Sequence, residues 1–505
     1  MYRFLMAVFI LSMLSVGLAQ QRGGTLVIAL ARDVESTDPM VGGTIDATIY
    51  NNAVGDPFVI LGEDGVAPWI IESWSVNAQG VYTWKIRRGV NFQDGTPLNA
   101  EAVKFTIERY RNPENGLRYG SYFARTRSIE VVDDFTLRIT NQSYDPEFME
   151  RMINLVVVSP AAVQRLGTAG FRANPVASGP FRLTQYVKGE RIVLERNPRY
   201  WRAGRPYVDR LIFRIIPDAS TRLIELEAGT VHFAVDMASA DLERARRAGL
   251  IVNVGKPLGQ LNIYMNLKRI TDPNVRRAVN HAINRPALVN AVTNNLAAVS
   301  FYSMPQAIWT HNPNTLKYDY DVARANRILD EAGWARGADG VRQKGDTRLV
   351  WDMPAETIPT RLRAAEIVSA MLREIGIQTR IRPMDPTAFS NTTRGGNYDI
   401  CWFQWAGSSL DPWPYDGGLN SKYAFNVAQS NDPRLDALLD RALVTLNRQQ
   451  RQRLYDQYFE IVQRESLFLT VGHLPAVFVA RPEARGLRIY TNRLLMEGGW
   501  LAPRQ

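Results

Sequence analysis

The sequence predicts an α/β fold spread over two or three domains, on two observations. The chain has 505 residues, too many for one hydrophobic core. Leu349–Met353, Thr360–Ile375 and Ile377–Ile381 read as strand, helix and strand, and a further strand follows at Tyr398–Gln404. Such alternation argues a partly parallel sheet, because a parallel return needs a long crossover. An apolar share of 46% is that of a soluble globular protein and excludes a disordered or fibrous chain.

Taken in order, Gly24–Ala31 is an apolar run of strand length, and Asp38-Pro39 is a turn. Gly80–Arg88 alternates, with Tyr82, Trp84 and Ile86 on one face. Asp94-Gly95 makes a turn and Asn99 caps a helix whose face carries Val103, Ile107 and Tyr110 before Pro113 stops it. Ser128–Asn141 reads as a hairpin, Leu155–Val158 as a strand, and Arg191–Glu195 and Val208–Ile216 as two more. Short helices at Thr221–Ala228 and Asp241–Ala248 each end in glycine. Leu261–Asn266 is strand-like, and a helix carrying Val275, Val279, Ala282 and Ile283 follows it. In Thr360–Ile375, Leu362, Ala365, Val368, Leu372 and Ile375 face inward. Helices near Pro433–Leu446 and Gln449–Glu465 precede strands at Leu474–Val479 and Gly486–Tyr490.

Met1–Ala19 begins with one arginine, runs apolar from Phe4 to Leu14 and ends in small residues. It reads as a secretory signal peptide cleaved before Gln20, with no cysteine there for a lipid anchor. The mature chain is therefore expected free in an exported compartment. Its one cysteine, Cys401, cannot form an intrachain disulfide. The net charge of +10 comes from dispersed arginines rather than a basic block, so no nucleic-acid partner is expected. Phosphate-loop, dinucleotide, zinc-protease, CxxC and nucleophile-elbow motifs are all missing. The histidines His232, His281, His311 and His473 are scattered, so neither a metal nor a cofactor is expected. A binding module leads over a secreted hydrolase, since aromatic residues gather without an identifiable nucleophile.

They gather in Asn397–Gly418, which holds three tryptophans and breaks from a strand into Gly, Ser and Pro. Aromatics delivered to a loop fit either a ligand pocket or the core of a large domain. In an extended Tyr398–Gln404, the residues Tyr398, Trp402 and Gln404 share a face, and Trp405 continues the face of Cys401 and Phe403.

Four blocks in order carry a family resemblance: GGTLVIALARDVESTDP, PWIIESWSVNAQGVYTWKIRRGVNFQDGTPLNAEAVKFTIER, NPVASGPFRLTQYVKGERIVLERNPRYW, and NIYMN with DPNVRRAVNHAINRPALV. Together they resemble the extracellular solute-binding proteins of family 5, the peptide, opine and nickel class. The resemblance implies the capture component of an ABC importer and a two-lobed periplasmic-binding-protein fold, class II and cluster C-like, with a small domain inserted in the N-terminal lobe. It implies a signal peptide at 1–19, lobe I at 20–61, 180–259 and 483–505, domain II at 62–179 and lobe III at 260–482. Chain crossings are expected near Leu258–Leu261 and Arg481–Glu483. The QDGTPLN motif is expected to be structural.

In peptide-binding relatives, a pattern like W-x-G-D-x-x-D-P holds the peptide's ammonium on its first aspartate. The matching residues here run from Trp405 to Pro412, with Ser408 at that aspartate and Asp411 kept. A neutral serine cannot form the ion pair, so an amine would be met elsewhere, for example by Asp411, Asp399 or Asp416. Trp402, Trp405, Ser408, Asp411, Trp413, Arg394, Tyr398 and Gln404 are the expected ligand contacts, with Arg394 placed to meet a carboxylate. Trp500 and Tyr490 join them only if the carboxyl end packs on the hinge. The expected solute is a peptide or amino-acid derivative. An oligosaccharide, a glycoside or an opine is the alternative. The partners are that solute and the membrane permease subunits, and a periplasmic monomer is expected.

Overall fold

The computed structural model describes residues 22–42, 44–62, 65–405, 407, 412, 418–421, 426–490 and 493–503. The signal-peptide reading and Ser408, Asp411, Trp413 and Asp416 lie outside them.

Two mixed layers dominate. A seven-stranded sheet runs in the order Ile251–Val254, Val477–Ala480, Phe233–Val235, Thr25–Leu30, Arg210–Ile215, Arg191–Arg196 and Phe181–Val187. Thr25–Leu30 is parallel to both of its neighbours, and the remaining pairs are antiparallel. A second, antiparallel sheet runs Ala298–Val299, Phe468–Leu474, Gly259–Met265 and Ile400–Trp405. Beside it, Val350–Glu356 and Gln378–Met384 pair in parallel around the helix Pro359–Glu374, the strand–helix–strand unit read from the sequence. A four-stranded antiparallel sheet, Ile71–Val76, Val81–Ile86, Thr136–Asn141 and Thr126–Asp133, packs with the seven-stranded sheet around one shared core.

The blocks that make the sequence recognisable turn out to be joints. Asp56 is fully buried and accepts from the indole N–H of Trp69 (2.8 Å), the hydroxyl of Tyr200 (3.1 Å) and the indole N–H of Trp201 (3.1 Å). The PW and NPRYW segments therefore converge on one carboxylate. Asp38 likewise holds Arg109 at 2.6 Å with both side chains buried, pinning the opening loop to the helix Ala100–Arg111. Gln93 donates to the carbonyls of Val54 and Phe181, and Asn99 caps Ala102 N, so QDGTPLN is internal scaffolding. Gly179 passes so close to Val54 that a Cβ would stand 2.5 Å from its carbonyl oxygen. No larger residue fits there.

Three expectations change. Leu155–Val158 forms only isolated bridges, Pro57 with Val156 and Val158 with Ala177, because no neighbouring strand continues the ladder. Leu474–Val479 is not one strand. Pro475 lacks the N–H a ladder needs, and the chain leaves one sheet at Leu474 and enters the other at Val477. The second crossing therefore lies at Pro475-Ala476 rather than Arg481–Glu483, and Val477–Ala480 belongs to the first lobe's sheet instead of lobe III. The first crossing falls between Val254 and Gly259, slightly before Leu258–Leu261.

Burial raises the Asp56 carboxyl to about 6, its hydrogen bonds opposing the shift. The folded state then holds this proton more tightly than the unfolded chain does. Its contribution to stability is greatest below about pH 4 and declines as pH rises to about 6. Relative to Asp56→Asn, the wild type should lose roughly 3 kcal/mol across that window, measured by urea unfolding at intervals from pH 4 to 7.

Candidate functional site

The two crossings lie side by side, and Gly255 N donates to Ala476 O at 2.9 Å. Beyond them the strands pair again, Gly259 opposite Leu474. Against this floor opens a cavity of about 790 Å³, a volume suited to a small organic solute. One wall comes from the first lobe through Arg32, Asp46 and Asp236, and the other from Glu356, Arg394 and Phe403–Trp405.

The second wall follows from the strand Ile400–Trp405. Helices cover both faces of its sheet, so Ile400, Cys401 and Trp402 are buried, as residues of doubly covered strands are, and Phe403 is half-buried. Ile400 and Trp402 join Ile263 and Met265 in the core on one face. Cys401 joins Tyr264 on the other, with Phe403 and Trp405 packed against that core. Burial raises the Cys401 thiol strongly, which leaves it an inert core group. Only where the strand runs out do Phe403, Gln404 and Trp405 all reach the cavity.

Their orientation is fixed from behind. The Trp405 indole N–H donates to Tyr264 Oη at 2.8 Å, and Asn262 Nδ2 donates to the same hydroxyl at 3.1 Å. Ring centroids of Phe403 and Trp405 lie 4.7 Å apart, and those of Phe389 and Phe403 lie 5.6 Å apart. This tilted aromatic ladder forms an apolar strip. Gly407, at φ +26°, lies against the Leu258 carbonyl and leaves no room for a Cβ. The strand end is thus clamped to the first crossing.

Of the sequence-predicted residues, the structure brings Arg394, Gln404 and Trp405 together on the cavity. Arg394 is the last residue of the helix Pro386–Arg394, and its carbonyl accepts from Gln429 Nε2. Two assignments are corrected. Tyr398 is fully buried and donates its hydroxyl to the Val427 carbonyl. It precedes the strand, which starts at Ile400, and packs on the opposite face from Trp402. Trp402 is 4% exposed and sits in the core between the sheet and its helices. Asp399 is also occupied, accepting from Asp352 N at 2.7 Å and standing 3.3 Å from Arg269. Trp500 is buried, on a strand paired with Ala484-Arg485.

Sequence reading missed the first-lobe wall, including the helix Ile45–Val54. Thr44 in front of it is a capping signal, accepting from Ala47 N at 3.1 Å. Asp46, in the first turn, is 2% exposed, and Oδ1 accepts from Ala31 N (2.8 Å) and Arg32 N (3.3 Å). Burial raises its carboxyl, Arg32 opposes the shift and Asp236 adds to it. Across the cavity, Glu356 and Arg361 form a largely buried ion pair. Among the described residues, no group of three or more His, Cys, Asp or Glu is arranged to hold a metal ion.

An α/β fold of two lobes joined by paired crossings, with a solute-sized cavity between them, defines a binding protein of the periplasmic type. Comparisons agree. The model of the bacterial extracellular solute-binding proteins, family 5, matches residues 65–426, and the chain belongs to that family. Its role is that of the solute-binding component of an ABC importer for a small solute. It is 28% identical over 480 residues to heme-binding protein A of Haemophilus influenzae, covering 88% of this chain and 86% of that one. It is 26% identical over 507 residues to the dipeptide-binding protein of Escherichia coli, covering 93% and 92%. The oligopeptide-binding protein AppA of Bacillus subtilis, solved with a nonapeptide, shares the fold at a TM-score of 0.85 and 22% identity, covering 96% of this chain and all of that one.

Trp402→Ala should destabilise the protein by about 3–5 kcal/mol through the cavity it leaves, read from denaturant unfolding. A folded variant of unchanged stability would contradict its place in the core.

Proposed function

We propose that this protein captures a peptide or amino-acid-derived solute in the cavity between its lobes and delivers it to a membrane permease. The observation that carries the reading is the 790 Å³ cavity lined from both lobes and floored by both crossings. A solute held by two walls joined through a hinge stabilises their approach, because only the closed arrangement lets it touch both. Capture is reversible and non-covalent, and the protein itself performs no chemistry and takes no cofactor.

Two features favour an amino-acid-derived solute over a sugar. The cavity mixes charges of both signs, carboxylates on the first wall and Arg394 with the Glu356–Arg361 pair on the second. The tryptophans that suggested sugar stacking are reduced, since Trp402 is in the core. Relatives named for dipeptides and oligopeptides agree with this choice. Trp405, Gln404 and Arg394 are the proposed contacts, with Phe403 added to them. Ser408, Asp411 and Trp413 remain proposed on the family resemblance. The signal peptide directs the monomeric chain to the periplasm, where the permease subunits are its partners. The sheet of residues 71–141 is the proposed inserted domain, supporting the first lobe from behind.

A thermal-shift and native mass-spectrometry screen should respond to short peptides and not to oligosaccharides. A response to oligosaccharides alone would overturn the assignment. Trp405→Ala should lower affinity for the responding peptide roughly tenfold, about 1.4 kcal/mol, measured by calorimetric titration.

A further inference from the structure

The first-lobe wall of the cavity is rich in carboxylates. Among the described lining residues, the first-lobe wall sets the carboxylates of Asp33, Glu35, Asp46 and Asp236 beside the guanidinium of Arg32, with Lys256 at the first crossing. Most of these charges already have partners. Arg32 stands 3.8 Å from Asp236, both about half-exposed, and Asp33 accepts from the Tyr186 hydroxyl and Gly189 N. Asp46 differs from them. It is 2% exposed and borders the cavity. Its Oδ1 takes both backbone N–H bonds, and Oδ2 takes no hydrogen bond from any described residue. That second oxygen is not among the fully buried atoms left without a partner, so it opens onto the solute-sized space beside it.

We propose that Asp46 receives the cationic group of the solute, a primary ammonium, on Oδ2, so that the solute lies with its cation against the first lobe. The inference rests on the cavity being the solute site. The geometry supports it from two directions. The Oδ1 bonds to Ala31 and Arg32 fix the side chain before any solute arrives, so little ordering is left for binding to supply. Burial raises the Asp46 carboxyl, and the first turn of the helix Ile45–Val54, with Arg32, works against that shift toward the ionised form.

The test uses di- to pentapeptides free at the amino end, and the same set N-acetylated, titrated into the full-length mature protein. The wild type should bind free-amine peptides at least tenfold more tightly than the acetylated ones. Asp46→Asn keeps an oxygen for Ala31 and Arg32 but removes the charge. It should lose that discrimination and bind free-amine peptides at least tenfold more weakly, with an unchanged melting temperature. Asp46→Ser provides a second uncharged acceptor if the asparagine variant does not fold. Equal wild-type affinity for the two sets would overturn the inference, as would undiminished discrimination in a folded variant, and either outcome would leave peptide capture standing. Failure of the wild type to bind any peptide would overturn both.

Discussion

Every feature of the cleft depends on one constraint: the chain passes between the two sheets twice, at adjacent places. Gly255 N and Ala476 O are bonded across the pair. The strands that leave this joint pair antiparallel on both sides, Ile251–Val254 with Val477–Ala480 and Gly259–Met265 with Phe468–Leu474. A two-strand ribbon bends more readily about its connecting residues than a full sheet does, so the proposed closure would turn on this joint. The cavity is the space left beside the ribbon. Its second wall is anchored to the same place, because Gly407 lies on the Leu258 carbonyl. A shift at the crossing therefore moves the aromatic strip of Phe403 and Trp405 with it.

The walls carry different chemistry because they arise from different kinds of secondary structure. On the second lobe, a doubly covered strand must be apolar along its length and becomes available to solute only at its end. That wall is consequently aromatic, with polar atoms supplied by Gln404 and by neighbouring helix ends. On the first lobe, the wall is a strand terminus followed by loop and the first turn of a helix. Free backbone N–H groups there attract carboxylates, and Asp46 is the residue they hold. An aromatic strip edged by Glu356, Arg361 and Arg394 thus faces a wall rich in carboxylates.

Much of this was legible in the sequence. Alternation and glycine stops placed the strand–helix–strand unit around Thr360–Ile375, and four spaced blocks carried the family. The blocks were read as markers, and the structure explains their persistence within this chain as internal joints: Trp69, Tyr200 and Trp201 all serve Asp56. The site was less legible. Trp402 and Trp405 stand three residues apart with equal aromatic character, and no local pattern says which one the helices cover. Tyr398 shares the parity of Trp402, yet the backbone turns before Ile400 and sends it to the opposite core. The crossing at Pro475-Ala476 was hidden inside an apolar run because both flanking segments are strands. Asp46 carries no signal in the sequence, because its place depends on bonds from Ala31 N and Arg32 N that no spacing rule reveals.

The proposed capture requires solute held in this cavity to fix the two lobes against each other through the paired crossings. A direct test places spin labels at the exposed positions Ser220 and Thr347, one on each lobe, leaving the buried Cys401 unlabelled. Double electron–electron resonance then reads the distance distribution with and without the tightest-binding solute. A broad distribution that collapses to one narrow peak at saturating solute is the expected result. An unchanged distribution under saturating binding would contradict closure about the crossings.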